Sequence, residues 1–212
     1  MLGLAELPLW IIPGTPPPIR DGAAFAKYLA DSRLVALTRV LIDVLMYISF
    51  MVFYAGFRHL LRQTRKEYEW LATLNFGAAV VWWAVILVAG GLEAGAVLDT
   101  VGAASDPSAV RALVEGTLAI YNASIALALT ALFMGTAGYA ILATGALPKW
   151  IGWLAWSSVV MCFFAMPAIY RNRVDPNDFY NAAGWGPGVV IAIPTLIWSF
   201  SASIAMIRKS CA

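Results

Sequence analysis

Five apolar stretches, roughly 34–57, 70–91, 113–143, 150–170 and 188–207, constrain this chain more than any other feature of it. At about 1.5 Å of rise per helical residue, each can cross the roughly 30 Å of hydrocarbon in a bilayer. Inside hydrocarbon every backbone amide and carbonyl must find its partner within the protein, which leaves helices or a closed barrel. No alternation of period two marks a barrel. Composition agrees, because 12% charged residues are too few to clothe a soluble domain whose residues are 61% hydrophobic. The expected fold is all-α: a polytopic membrane protein, built as a five-helix transmembrane bundle.

The ends of these helices carry local signals. Asp106-Pro107 places a capping acid before a first-turn proline, so the third helix should begin ahead of its apolar stretch. GALPKW, 145–150, supplies a helix-ending glycine, a proline and an interfacial tryptophan, which together predict a tight helical hairpin. Upstream of the first span, Phe25, Tyr28 and Leu29 recur at helical spacing behind Asp21, predicting a short N-terminal interfacial helix. MLGLAELPLWII lacks a basic start and runs into PGTPPP, unlike a cleaved signal peptide. Residues 1–18 read as a retained segment at the interface. The expected organisation is an N-terminal interfacial segment over 1–33, a transmembrane domain over 34–207 and a short tail over 208–212.

Loop charge predicts orientation. Arg58, Arg62, Arg65 and Lys66 crowd the first loop, and placing that loop in the cytoplasm puts Lys149, Arg208 and Lys209 there too. The opposite side then holds Arg20, Lys27, Arg33, Arg111, Arg171 and Arg173. The density of the first loop favours an outside N-terminus and a cytoplasmic C-terminus. Five spans do not divide into two equal halves, which argues against a transporter built from inverted repeats.

Four segments carry a resemblance: AKYLADSRLVAL before the first span, FRHLLR after it, DPSAVRALVEG entering the third helix and ALPKWIGWLA entering the fourth. Across about 21–208 the chain resembles a family of small bacterial multi-helix integral membrane proteins known only as a domain of unknown function. The resemblance implies a multi-pass protein of the bacterial plasma membrane, and it implies no activity. Arg39 and Asp43 are not part of the pattern.

Those two residues are the chain's oddity. They stand four apart within the first span, hence on one helical face and close enough to pair. An ionised group at mid-bilayer costs about 2.5–3.5 kcal/mol on the insertion scale, so this face is expected to meet protein or a wet cavity. Tyr47 continues the face, and Tyr121 and Asn122 of the third helix should lie at a similar depth. Arg39, Asp43, Tyr47, Tyr121 and Asn122 therefore form the candidate pocket, whether as a structural lock or as a binding site. Ser124, Ala128, Ala131, Gly135 and Gly138 make a small-residue stripe suited to close helix packing.

Other chemistry is poorly served. A single histidine, His59, precludes a multi-histidine metal site or two-histidine haem ligation within one chain. No lysine lies inside a span to form a Schiff base, and Cys162 and Cys211 have no zinc spacing. No cofactor, metal or nucleic acid is expected. Trp70, Trp150 and Trp153 suit an interfacial belt; Trp82, Trp83 and Trp198 lie deeper, lining a ligand pocket or facing lipid. The expected function is a non-catalytic membrane protein, either an accessory subunit of a larger complex (or a homo-oligomer) or a binder of a lipid-like, hydrophobic molecule. The alternative is a membrane enzyme or small transporter working through the polar pocket.

Overall fold

A computed structural model describes residues 8–9, 11–101, 106–122, 124–171, 177–181 and 184–210. Among them the regular elements are all helical: α1 (Gly22–Asp31), α2 (Arg33–Thr64), α3 (Glu69–Asp99), α4 (Pro107–Tyr121), α5 (Ser124–Thr144), α6 (Lys149–Ala165) and α7 (Trp185–Ser210). Five segments are long and apolar enough to cross a membrane: α2, α3, α4 with α5, α6, and α7. The chain is a five-helix transmembrane bundle with a short N-terminal helix. At 32 residues, α2 is about 48 Å long and extends beyond a hydrocarbon core.

Local chemistry explains most boundaries. Asp21 accepts a hydrogen bond from the Ala24 amide at 3.0 Å and opens α1. Asp106 accepts from the Ser108 amide at 2.9 Å and opens α4, with Pro107 in the first turn. Its two bonds from Ser108 hold the exposed carboxyl below the ordinary aspartate range. Gly145, at φ +65°, turns the chain out of α5 in a conformation that a side chain would strain. Pro167, lacking an amide, ends the α-helical ladder of α6, and Met166–Tyr170 tightens into a 3-10 turn.

Two expectations are corrected, and a further contact is added. The third span is interrupted: α4 stops at Tyr121, Asn122 caps it through its own amide to the Leu118 carbonyl, and α5 begins at Ser124. The second span continues past its glycine pair at Gly90 and Gly91 to Asp99. The apolar side of α1 meets protein, with Phe25 and Leu29 buried in a cluster with Ala36, Val97 and Val110. Residues 1–7, at the start of the expected interfacial segment, and residues 211–212 of the expected tail lie outside the described residues.

The main core lies between α2, α3, α5, α6 and α7. Trp82, Trp83 and Trp198 belong to it and are buried away from lipid; Tyr54 stacks on Trp198 with ring centroids 6.3 Å apart. Trp70, Trp150 and Trp153 are exposed. A close approach joins α5 and α6 at Gly138 and Gly152. A Cβ built on Gly138 would lie 2.9 Å from the Gly152 carbonyl oxygen and 2.9 Å from the Trp156 ring. Dispersion between closely approaching backbones thus replaces the hydrophobic driving force that lipid removes.

One consequence can be measured. Gly138→Ala and Gly135→Ala both gain about 1 kcal/mol of helix propensity. A Cβ at Gly135 meets Val159 at an ordinary 3.5 Å, whereas one at Gly138 forces two backbones apart. Gly138→Ala should therefore lose about 1–3 kcal/mol in detergent unfolding, with Gly135→Ala neutral or stabilised. Equal stability of the two variants would show that the α5–α6 contact is not tight.

Candidate functional site

Arg39 lies six residues into α2 and Glu93 six residues before the end of α3. Both are 27 residues from Lys66 in the connecting turn, so antiparallel packing of α2 on α3 brings them to one height. They form a salt bridge, with 12% and 9% of their side chains exposed. Each charge would be costly alone in this setting, and the contact relieves both. One turn further along α2, Asp43 is buried and accepts a hydrogen bond from the Tyr121 hydroxyl at 3.3 Å, long for an O–H···O contact. Gly90 lies beside that hydroxyl, 3.7 Å from where its Cβ would stand, so the phenol passes between α3 and α2 unobstructed.

A second tier supports the first. Thr117 on α4 donates to the Leu113 carbonyl of its own helix at 3.0 Å and lies 3.3 Å from the Ala89 carbonyl of α3. Above the pair, Tyr28 of α1 is half-buried. Burial pushes its phenol above the ordinary value, and the nearby positive charge of Arg39 pulls the other way. Three helices thus meet around one polar cluster, and α1 approaches it from outside.

The other sequence candidates fall in different places. Tyr47 packs its ring edge-on against Trp83, with centroids 6.0 Å apart, inside the aromatic core. Asn122 points to α7, where its Oδ1 lies 2.8 Å from the position of a Cβ on Gly188. The structure therefore brings Arg39, Asp43 and Tyr121 to one region and places Tyr47 in the core. In the small-residue stripe, Ala131 and Gly138 are buried and Gly135 half-buried, but Ala128 is exposed and does not pack. The side chain of Ser124 lies outside the described residues.

Sequence reasoning missed two residues here. Glu93 fell beyond the expected end of the second span at Gly91; its equal distance from the turn with Arg39 was the signal that could have found it. Asn75, buried on α3, donates to the Phe133 carbonyl at 2.6 Å and to Thr136 Oγ1 at 3.1 Å, tying α3 to α5. Among the described residues no group of three His, Cys, Asp or Glu side chains is gathered to hold a metal ion.

The family described as Domain of unknown function (DUF4386) matches residues 10–209. The chain belongs to it. No curated protein and no solved structure matches. In this DUF4386 chain the matched region takes in every transmembrane helix and the whole polar cluster, while the family's description assigns no chemistry to them.

A double-mutant cycle measures the pair. Arg39→Gln and Glu93→Gln should each cost about 3–5 kcal/mol, since each leaves one buried charge uncompensated. The double variant should recover part of that loss, with a coupling of roughly 0.5–3 kcal/mol in detergent unfolding. Strict additivity would remove the ion pair from any account of this bundle's stability.

Proposed function

We propose that this chain is a non-catalytic integral membrane protein that works by binding a lipid-like amphiphile. The observation that carries the reading is a pair of clefts on either side of the C-terminal half of α7. One, of about 340 Å³, opens between α7 and the turn joining α5 to α6. The other, also about 340 Å³, opens between α2 and α7 and is lined by Ser49, Val52, Gly56, Ser203 and Met206. Both are open surface grooves, and apolar grooves beside a transmembrane helix suit an acyl chain.

The polar cluster supports the non-catalytic part. Proton exchange or substrate handling needs an ionisable group available to a ligand. Here Arg39 is held by Glu93, and Asp43 is met by Tyr121. That arrangement suits a lock between helices better than an active site or a transport pathway.

A second reading, an accessory subunit of a larger complex, draws on α2. Only 17% of its most apolar window is buried, against 56% for α4 with α5. Leu41, Ile48 and Val52 present an apolar face that a partner helix or a second copy would cover as readily as lipid. Native mass spectrometry after mild solubilisation separates the two. The amphiphile reading expects retained lipid, and Gly56→Leu, which fills the α2–α7 cleft against the yielding end of Met206, should remove only the share held there. A lipid-free chain carrying a stoichiometric protein partner would favour the subunit reading, and a bare monomer would overturn both.

The same proposal places the protein in a bacterial plasma membrane with its N-terminus outside and C-terminus in the cytoplasm, on the density of basic residues in the α2–α3 turn. With Cys162 and Cys211 replaced by serine, a cysteine at Gln63 should resist a membrane-impermeant thiol reagent in intact cells. One at Asn177 should react. The reverse pattern would invert the topology.

A further inference from the structure

The two ends of the bundle differ in charge. At the end where α2 turns into α3, α5 into α6, and α7 terminates, the chain carries Arg58, Arg62, Arg65, Lys66, Lys149, Arg208 and Lys209 against Glu67 and Glu69. Both carboxylates are engaged: Glu69 with Arg62 at 3.0 Å, and Glu67 with Arg65 at 3.5 Å. Arg208 and Lys209 line the cleft between α7 and the α5–α6 turn, and among the described residues no carboxylate lines it. Among the described residues, the Arg208 guanidinium makes no ion pair or hydrogen bond.

Lys209 is held in place. Its Nζ donates to the Ala146 carbonyl at 3.2 Å, bridging the end of α7 to the turn. That turn is itself shaped by the left-handed Gly145 and by the Ala146 amide, which donates to Thr144 Oγ1 at 3.2 Å. An ammonium carries three donors, so two remain for a ligand. Below the cations the wall is apolar, formed by Leu147, Ile204 and Ala205, and the exposed Trp150 lines the same cleft.

Cations at the rim of an apolar slot, with an interfacial tryptophan, match a molecule that is anionic at one end and hydrocarbon at the other. A soluble anion would leave the apolar wall uncovered. A zwitterionic head would bring its own cation against Arg208 and Lys209. We propose that this cleft holds an acidic phospholipid, its phosphate on Arg208 and Lys209 and an acyl chain along Leu147 and Ile204. The inference rests on the amphiphile-binding reading and specifies the head group.

The test uses the full-length protein in phosphatidylcholine vesicles doped with a brominated-chain lipid, either phosphatidylglycerol or phosphatidylcholine at the same mole fraction. The signal of Trp150 is taken as the difference between the parent and Trp150→Phe. Quenching should report a roughly five- to thirtyfold local enrichment of phosphatidylglycerol over phosphatidylcholine, the scale expected for one or two interfacial cations at about 1 kcal/mol each. Arg208→Gln with Lys209→Gln should abolish the enrichment, and Arg208→Gln alone, which leaves the Lys209 bridge intact, should reduce it. Arg62→Gln, on the same face but outside the cleft, should preserve it.

Equal quenching by both lipids would overturn the acidic-lipid site. The amphiphile reading would then still stand or fall on whether any lipid survives into native mass spectra. An equal loss in Arg62→Gln would mean a diffuse surface potential and also overturn the site. Displacement by millimolar inorganic phosphate would mark a soluble-anion site and overturn the lipid assignment.

Discussion

A guanidinium and a carboxylate taken out of water must be held together, and the Arg39–Glu93 pair imposes that condition on the bundle. Its members come from α2 and α3, helices that run antiparallel through a short turn, so sliding one against the other by a single turn would separate the charges. A buried pair adds little net stability over an apolar substitute, but every register that breaks it is heavily penalised. The pair therefore acts on register. The contact of Tyr121 with Asp43 adds α4 to the same arrangement, and α4 in turn carries much of the second cluster that α1 covers. One electrostatic requirement thereby orders four helices at one end of the molecule.

The remaining helices are joined by different physics. Between α5 and α6 the contact depends on missing side chains at Gly138 and Gly152, with no charge involved. Asn75 links these two systems, since it sits on α3 and bonds to the carbonyl and hydroxyl groups of α5. An amide in that position has few alternative partners in a lipid environment, which makes the α3–α5 contact directional where dispersion alone would let it slide. Ser157, Ser158 and Ser203 contribute nothing comparable between helices, because their hydroxyls donate back to carbonyls of their own helices.

What the sequence made legible divides along the same line. Caps and turns are local, so Asp21, Asp106 and Gly145 could be read from a few neighbouring residues, and the apolar stretches located all five spans. Contacts between helices were harder. Tyr121 and Asp43 could be placed at a common depth from their positions, but Glu93 could not, because the glycine pair before it resembled a helix end. The aromatic residues failed for a related reason: hydropathy is the same for a Trp198 facing lipid and a Trp198 in the core, and the neighbours that decide lie on other helices. Ala128 matches the stripe by spacing yet is exposed, because spacing alone does not show which side of α5 meets a neighbouring helix.

The two ends of the molecule also differ in what they leave open. At the end built on Arg39, Glu93 and Asp43, polar side chains close on one another and α1 covers them. At the opposite end α7 is tied to the α5–α6 turn by Lys209 and is otherwise flanked by clefts. A bundle locked at one end and open at the other keeps its helix register when something enters the open end, because the contacts that fix register lie far from the clefts. Pro194, which lacks an amide to continue the α7 ladder, falls between the two regions. On the proposed reading, the C-terminal half of α7 adjusts around a bound chain without disturbing the contact of Asn122 with its N-terminal end. That separation fits the amphiphile binding proposed above, with the fold maintained from the opposite end.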